Sequence, residues 1–259
     1  MPLPPLKLVP EWFNRGAHED KFSPDEFQTC RSPLHILIAA RTRTMSNTKL
    51  SQDALDQIDQ FSRDRVGIST LERYTGSAAT EFQPFILLTN FKHYITVFAA
   101  QFNEPIRQGS VMQACHAKGE KISIIDYSVG SPTAALVVEL LSFIKPKAVL
   151  MLGMCGGLRD EHKVGDFFNP VAAIRGEGTS DSYMPKQSPS LSSFVIQRFA
   201  CEALEKRSLK YHTGVIHTTN VRFWEFNEAF KKTLEEERAQ AVDMECATLF
   251  TVGFARYVP

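Results

Sequence analysis

Residues 122–153, ISIIDYSVGSPTAALVVELLSFIKPKAVLMLG, decide the fold. They contain an apolar strand, a helix capped by Ser131 with Pro132 as its first residue and stopped by Pro146, and a second apolar strand. A strand, a helix and a strand in this order form a right-handed crossover, so the two strands run parallel and end at the same sheet edge. The sequence therefore predicts the α/β class, with ligand-binding turns at that edge.

The same alternation of strands and helices continues on both sides of this unit. An apolar strand is predicted over residues 85–90, and a hairpin connects a strand ending near Cys115 to residues 122–130. Strands and helices alternate again from Phe167 to the end. Residues 1–68 show no sustained period and form a predicted N-terminal extension, whereas residues 69–259 form the predicted folded domain.

Charge and composition narrow the classes of function. Lys plus Arg and Asp plus Glu both number 29, so no basic field predicts nucleic acid or an anionic membrane as a partner. The five cysteines contain no CxxC pair, so neither a zinc site nor a disulfide framework is predicted. No apolar run approaches the roughly 20 residues that span a bilayer, and the start lacks a signal-peptide pattern. We expect a soluble, cytoplasmic protein without a metal or cofactor.

Two turns at the predicted sheet edge are candidates for ligand binding. The glycines of GMCGG, residues 153–157, let backbone N–H groups approach an anion or a sugar closely. VGSPT, residues 129–133, opens a helix whose free N–H groups suit a phosphate or a ribose hydroxyl. A tight exit loop and an ordinary helix cap are the structural alternatives.

Three later segments carry side chains that suit a nucleotide. Arg175 begins a polar loop, RGEGTSDSYMP, and offers a planar fork for a phosphate or a purine edge. Phe223 and Trp224 follow an apolar strand and present rings that can stack on a base. Glu245 lies in the first turn of an apolar helix, where a carboxylate can accept two adjacent ribose hydroxyls. A solvated loop, core packing and helix-dipole stabilisation are the respective alternatives.

Four motifs in order resemble the nucleoside phosphorylase family: GMCGGLR at 153–159, GD at 165–166, AAIRGEGTS at 172–180 and DMECATL at 243–249. Within that family, CGGLRD at 155–160, HTTNVRFWE at 217–225 and VDME at 242–245 resemble the AMP nucleosidases. The resemblance covers about residue 69 to the end. It implies a three-layer α/β/α fold with a central mixed sheet, hydrolysis of AMP to adenine and ribose 5-phosphate, and a homo-oligomer, either a dimer or a hexamer.

The resemblance also implies roles for individual residues. Glu245 would bind the ribose 2′ and 3′ hydroxyls, Met244 would pack under the sugar, and either Phe223 or Trp224 would cover the base. The contacts implied at the ribose and phosphate end are Thr133, Gly153, Gly156 and Arg175.

One implied residue does not occur in this sequence. The family places an Asp, which helps to protonate the purine, just after the strand that follows the Glu245 helix, and this sequence stops at Pro259. We therefore expect the chain to lack that final strand and helix. Two alternatives stay open: a purine nucleoside phosphorylase or other nucleosidase of the same fold, and a non-catalytic nucleotide-binding homologue.

Overall fold

The computed structural model describes residues 52–259. The predicted N-terminal extension lies outside the described residues up to residue 51, and helix α1, Gln52–Thr75, follows. The chain divides between Val66 and Gly67, and the account below concerns the unit formed by residues 67–259. Within the described residues, none of the helices combines the length and the apolar character needed to cross a membrane.

The first sheet contains the crossover that the sequence predicts. Its order is β2-β3-β4-β1-β5, with bounds β1 Phe85–Thr89, β2 Arg107–Gln108, β3 Gln113–Ala117, β4 Ile122–Asp126 and β5 Ala148–Leu152. β1 lies between β4 and β5 and runs parallel to both, so all three strands end at one edge. β3 pairs antiparallel with β4, which confirms the predicted hairpin.

The second sheet brings together strands from the later part of the chain. Its order is β6-β10-β9-β7-β8, with bounds β6 Gly156–Gly157, β7 Phe167–Gly176, β8 Ser190–Leu191, β9 Tyr211–Thr219 and β10 Ala241–Asp243. β9 is central and runs parallel to β7 and β10, whereas the edge strands β6 and β8 are antiparallel. The register of β7 shifts between Pro170 and Ala172, beside the proline that cannot donate a ladder hydrogen bond.

Five further α-helices pack with these sheets: α2 Lys92–Phe102, α3 Ser131–Ser142, α4 Phe194–Glu205, α5 Glu228–Glu236 and α6 Cys246–Ala255. The α/β class and the mixed strands flanked by helices are thus confirmed. The predicted cap of α3 was wrong by one residue, because Gly130 is the cap and Ser131 is already helical. The Ser131 hydroxyl donates instead to the carbonyl of Met244, 113 residues away.

The main core lies between the first sheet and helices α3 and α6. Seven residues of α3 are buried, among them Val137 and Leu141, and α6 adds Val252 to the same cluster. Burying a side chain of this size stabilises the fold by about 1.5–3 kcal/mol. This packing fixes the amino-terminal ends of α3 and α6 beside each other.

Candidate active site

Glu245 is a buried carboxylate at the point where α3 and α6 begin. It caps α6 and is only 2% exposed. The N–H of Gly130 donates to Oε1 at 2.7 Å, and the N–H of Met244 approaches Oε2 at 3.3 Å. Gly130 has φ of +101°, a backbone conformation that L residues rarely adopt. The sequence therefore uses a glycine where the chain must aim this N–H at the carboxylate.

The surroundings of Glu245 raise its pKa on balance. Burial is the largest cause and raises the pKa of Glu245, and the charge of Asp243 acts in the same direction. The Gly130 N–H and the side chain of Asn90 hydrogen-bond the carboxylate and lower its pKa in part. An additional hydrogen-bond donor from a ligand would stabilise the ionised form of this buried carboxylate.

Asp243 holds the first turn of α6 in place. Its Oδ2 accepts the N–H groups of Cys246 at 2.7 Å and Glu245 at 3.2 Å. Its Oδ1 accepts the Thr218 hydroxyl at 2.7 Å, and the oxygen of that hydroxyl accepts the Ala247 N–H at 2.9 Å. The N–H groups of Glu245, Cys246 and Ala247 at the start of α6 are therefore satisfied within the protein and do not need the Glu245 side chain as their acceptor.

Asn90 lies beside Glu245, and the sequence predicts it only as the end of an apolar strand. Its Oδ1 is buried and has no hydrogen-bond partner among residues 52–259. A Cβ added at Gly153 would lie 3.2 Å from this oxygen. Asn90 and Gly153 directly follow β1 and β5, and Gly130 lies four residues after β4, so all three residues come after parallel strands that end at one edge of the first sheet. The sequence signal that could have indicated Asn90 is its position as a polar residue directly after a buried strand.

The structure separates the two candidate base-stacking residues. The ring of Trp224 lies 3.3 Å from the position that a Cβ on Gly156 would take, so Trp224 packs against the glycine turn. Phe223 is 70% exposed, and the Arg222 guanidinium lies 5.6 Å from its ring centroid. Trp224 is therefore the aromatic residue beside the turn, and Phe223 lies at the surface.

The Arg175 side chain is buried and braces its own loop. Nε donates to the Ser180 hydroxyl, and the terminal nitrogens donate to Asp181 and to three carbonyls of the loop. The ion pair with Asp181 measures 3.0 Å. Because a guanidinium has five N–H groups and five bonds are made, no donor is left for an anion in this arrangement.

Thr133, Cys155 and His217 lie in local arrangements that involve no ligand. The Thr133 hydroxyl donates to the carbonyls of Val129 and Gly130, inside the turn that opens α3. Cys155 is exposed in the glycine turn, and the protein atoms around its sulfur displace enough water to raise the pKa of the thiol to about 11. His217 pairs with Glu237 at 2.6 Å. Over residues 52–259, no group of three or more His, Cys, Asp or Glu side chains is placed to hold a metal ion.

Comparison with known sequences identifies the family of the chain. A family model described as the phosphorylase superfamily matches residues 84–259. The AMP nucleosidase of Escherichia coli K12 is 28% identical over 249 residues, which cover 78% of this chain and 51% of that protein. The uridine phosphorylase of Thermococcus kodakarensis is 28% identical over 148 residues, 52% of this chain and 53% of that one. The chain thus spans about half the length of these curated relatives.

Solved structures agree with the sequence matches. The crystal structure of an AMP nucleosidase from Bacteroides thetaiotaomicron shares 45% identity and a TM-score of 0.74, and the match covers 76% of this chain and 86% of that one. The match to the crystal structure of a uridine phosphorylase from Vibrio fischeri, 22% identical with a TM-score of 0.64, covers 70% of this chain and 77% of that one and shows the shared fold. The predicted resemblance and the predicted fold are confirmed.

Proposed function

The chain belongs to the phosphorylase superfamily, and on that premise we propose that it hydrolyses the N-glycosidic bond of AMP, releasing adenine and ribose 5-phosphate. The observation that carries this proposal is the buried Glu245 carboxylate, held by the Gly130 N–H at the edge where the parallel strands end. The 45% identity to an AMP nucleosidase of known structure supports AMP as the substrate.

Glu245 would act on the sugar. Two adjacent ribose hydroxyls each have one hydrogen to donate, and a carboxylate has two oxygens to accept them. As the C1′–N9 bond breaks, its electron pair leaves with the purine and positive charge develops on the sugar ring. The Glu245 charge lies close to that cation and stabilises it. The oxygen of a water molecule then bonds to C1′, and the proton that this water loses balances the proton that the purine gains.

The remaining residues would shape the two ends of the pocket. We propose that the side chain of Met244, half-buried beside Glu245, packs under the sugar, and that Asn90 adds a polar contact to it. The turns containing Thr133, Gly153 and Gly156 would line the ribose and phosphate end. Arg175 would support its loop instead of contacting the phosphate, since its N–H groups are already engaged.

Trp224 is the proposed partner of the adenine ring. Stacking of a base on an aromatic side chain contributes about 1–3 kcal/mol, and each 1.4 kcal/mol is a factor of ten. Trp224→Ala should therefore raise the KM for AMP about tenfold, whereas the matched variant Phe223→Ala should change it less than about threefold. Equal effects of the two substitutions would contradict this assignment.

We also propose a homo-oligomer in the cytoplasm. Leu191, Phe194 and Val195 expose large apolar surface near β8 and α4, which a second copy of the chain would cover. The four described cysteines are free thiols, as reducing conditions require. Sedimentation velocity of the wild type and of Phe194→Glu tests the assembly, because a charge on the covered surface should shift the protein to smaller species.

The test of the activity is product analysis with and without inorganic phosphate. Purified protein is mixed with AMP, and the base and sugar products are separated by chromatography. Adenine and ribose 5-phosphate without added phosphate are the expected result. A requirement for phosphate, with a sugar bisphosphate as product, would identify a phosphorylase. Binding of AMP without release of adenine would identify a non-catalytic homologue.

A further inference from the structure

Glu177 is a further buried carboxylate, and it lies outside the proposed sugar contacts. It follows Arg175 in the loop after β7 and is only 3% exposed. The Thr248 hydroxyl donates to Oε1 at 2.7 Å, and the Ser180 N–H lies 3.3 Å from both oxygens. Burying a carboxylate is costly unless it is paired or hydrogen-bonded. Its position therefore depends on the helix that supplies the Thr248 hydroxyl.

The backbone of Glu177 contacts a third segment. Its carbonyl oxygen accepts a hydrogen bond from the side chain of Asn220, the residue after β9. Asn220 begins the segment that leads to Trp224, while Thr248 lies one turn after Glu245 on α6. Through one residue, the Arg175 loop is thus bonded both to the helix that presents Glu245 and to the segment that presents Trp224.

On the basis of the proposed function, we propose that Glu177 is a positioning residue that fixes the Glu245 helix and the Trp224 segment relative to each other for binding of the nucleotide. The proposed ribose contact, Glu245, lies at the start of α6, and the proposed base contact, Trp224, lies in the segment after β9. These two elements are separate in the chain. Their relative placement must be accurate, because a misplacement of about 1 Å can reduce a rate by about 100-fold.

The chain offers a matched control on the same helix. Thr251 lies one turn beyond Thr248 and is also buried, and its hydroxyl has no hydrogen-bond partner within the described part of the chain. Thr248→Val removes the bond to Glu177, whereas Thr251→Val removes a hydroxyl that bonds to no other group. Removing an unpaired buried hydroxyl is close to neutral or stabilising. The two variants therefore share the chemical change and differ only in the link to Glu177.

The kinetic experiment measures kcat/KM for AMP in both variants and in a double-mutant cycle. Thr248→Val and Glu177→Ala should each lower kcat/KM roughly tenfold or more, and Thr251→Val should lower it less than about twofold. Glu177→Gln retains an oxygen that accepts from Thr248 and should recover most of the activity. In a Glu245→Gln background, Thr248→Val should add less than about twofold, since the contact that it positions is already impaired. Additive losses would overturn the proposal.

Hydrogen exchange separates this proposal from the proposed activity. If the wild type releases no adenine, the activity proposal fails, and amide exchange still tests the link. Thr248→Val should speed exchange at the Glu245, Cys246 and Ala247 amides and at Val221, and Thr251→Val should leave these amides unchanged. Unchanged protection at both places in Thr248→Val would overturn the positioning role, whatever the activity.

Discussion

Helices α3 and α6 begin side by side at the candidate active site, and their first turns have opposite chemistry. α3 begins at a glycine with φ of +101° and offers backbone N–H and hydroxyl donors, whereas α6 begins between two buried carboxylates, Asp243 and Glu245. Gly130 donates to Glu245, and Ser131 donates to the Met244 carbonyl. The apolar length of α3 packs into the main core, whereas the proposed function predicts that the buried carboxylate before α6 costs stability and is kept for binding the sugar.

The largest effect expected from this comparison is the loss of activity in Glu245→Gln. The amide keeps one oxygen for the Gly130 N–H but can no longer accept both ribose hydroxyls or stabilise a cation. We expect kcat/KM for AMP to fall by about 100- to 1,000-fold, with the melting temperature unchanged or raised. Glu228→Gln, an exposed carboxylate on α5, is the matched control and should remain fully active. A decrease in kcat/KM of less than about tenfold in Glu245→Gln would contradict the proposed role of the first turn of α6.

The complementary variant is Leu141→Ala on α3. Leu141 is fully buried in the main core, and truncating a leucine of this kind costs about 2–5 kcal/mol of the free energy of unfolding. Urea denaturation should show this loss, while the KM of the remaining folded enzyme should change little. Val97→Ala, at a half-exposed site on α2, should cost far less. A large change in KM for Leu141→Ala would mean that the two helices do not divide their roles in this way.

Gly130→Ala sharpens the comparison at the contact between the helices. An added Cβ meets only Pro132, at 3.9 Å, so the cost comes from the positive φ rather than from a clash. We expect a loss of about 1–3 kcal/mol of stability together with a raised KM, because the N–H that binds Glu245 moves. Gly119→Ala is the control, since Gly119 has open space and no positive φ. Equal free energies of unfolding for the two variants would contradict the claim that the positive φ at residue 130 makes alanine unfavourable there.

The smallest expected effect is a shift in the pH profile. Burial raises the pKa of Glu245 above the ordinary glutamate value of 4.5, so the carboxylate takes up a proton at a higher pH than an exposed glutamate does. The ionised form accepts the ribose hydroxyls, and kcat/KM should therefore fall as the pH falls through this raised pKa. The acid limb should lie above pH 4.5 and be absent from Glu245→Gln. Its persistence in that variant would assign it to another group.

The sequence predicts the elements that depend on local pattern and fails where partners are distant in the chain. The strands β1, β4 and β5 and the helix α3 follow from apolar runs bounded by turns and prolines. The bond between Gly130 and Glu245 joins residues 115 apart, and the bond between Glu177 and Thr248 joins residues 71 apart. No periodicity encodes such pairs.

The same limit explains the individual site residues. The guanidinium of Arg175 is the kind of group that binds an anion, which is why the sequence predicts that role. Its five N–H groups are instead bonded by nearby loop residues, and the path of that loop does not follow from the sequence alone. Trp224 and Phe223 are neighbours in sequence, and only the approach of Trp224 to Gly156 distinguishes them. Asn90 lies after a strand that the sequence predicts, yet its contact with Glu245 depends on α6, more than 150 residues later.

A crystal structure of Glu245→Gln in complex with AMP tests the central claim most directly, because the slowed variant should retain the intact nucleotide. The account predicts the ribose 2′ and 3′ hydroxyls within hydrogen-bonding distance of residue 245, with the adenine ring against Trp224. A nucleotide bound elsewhere, or a sugar that contacts neither α6 nor the turn at Gly130, would contradict it.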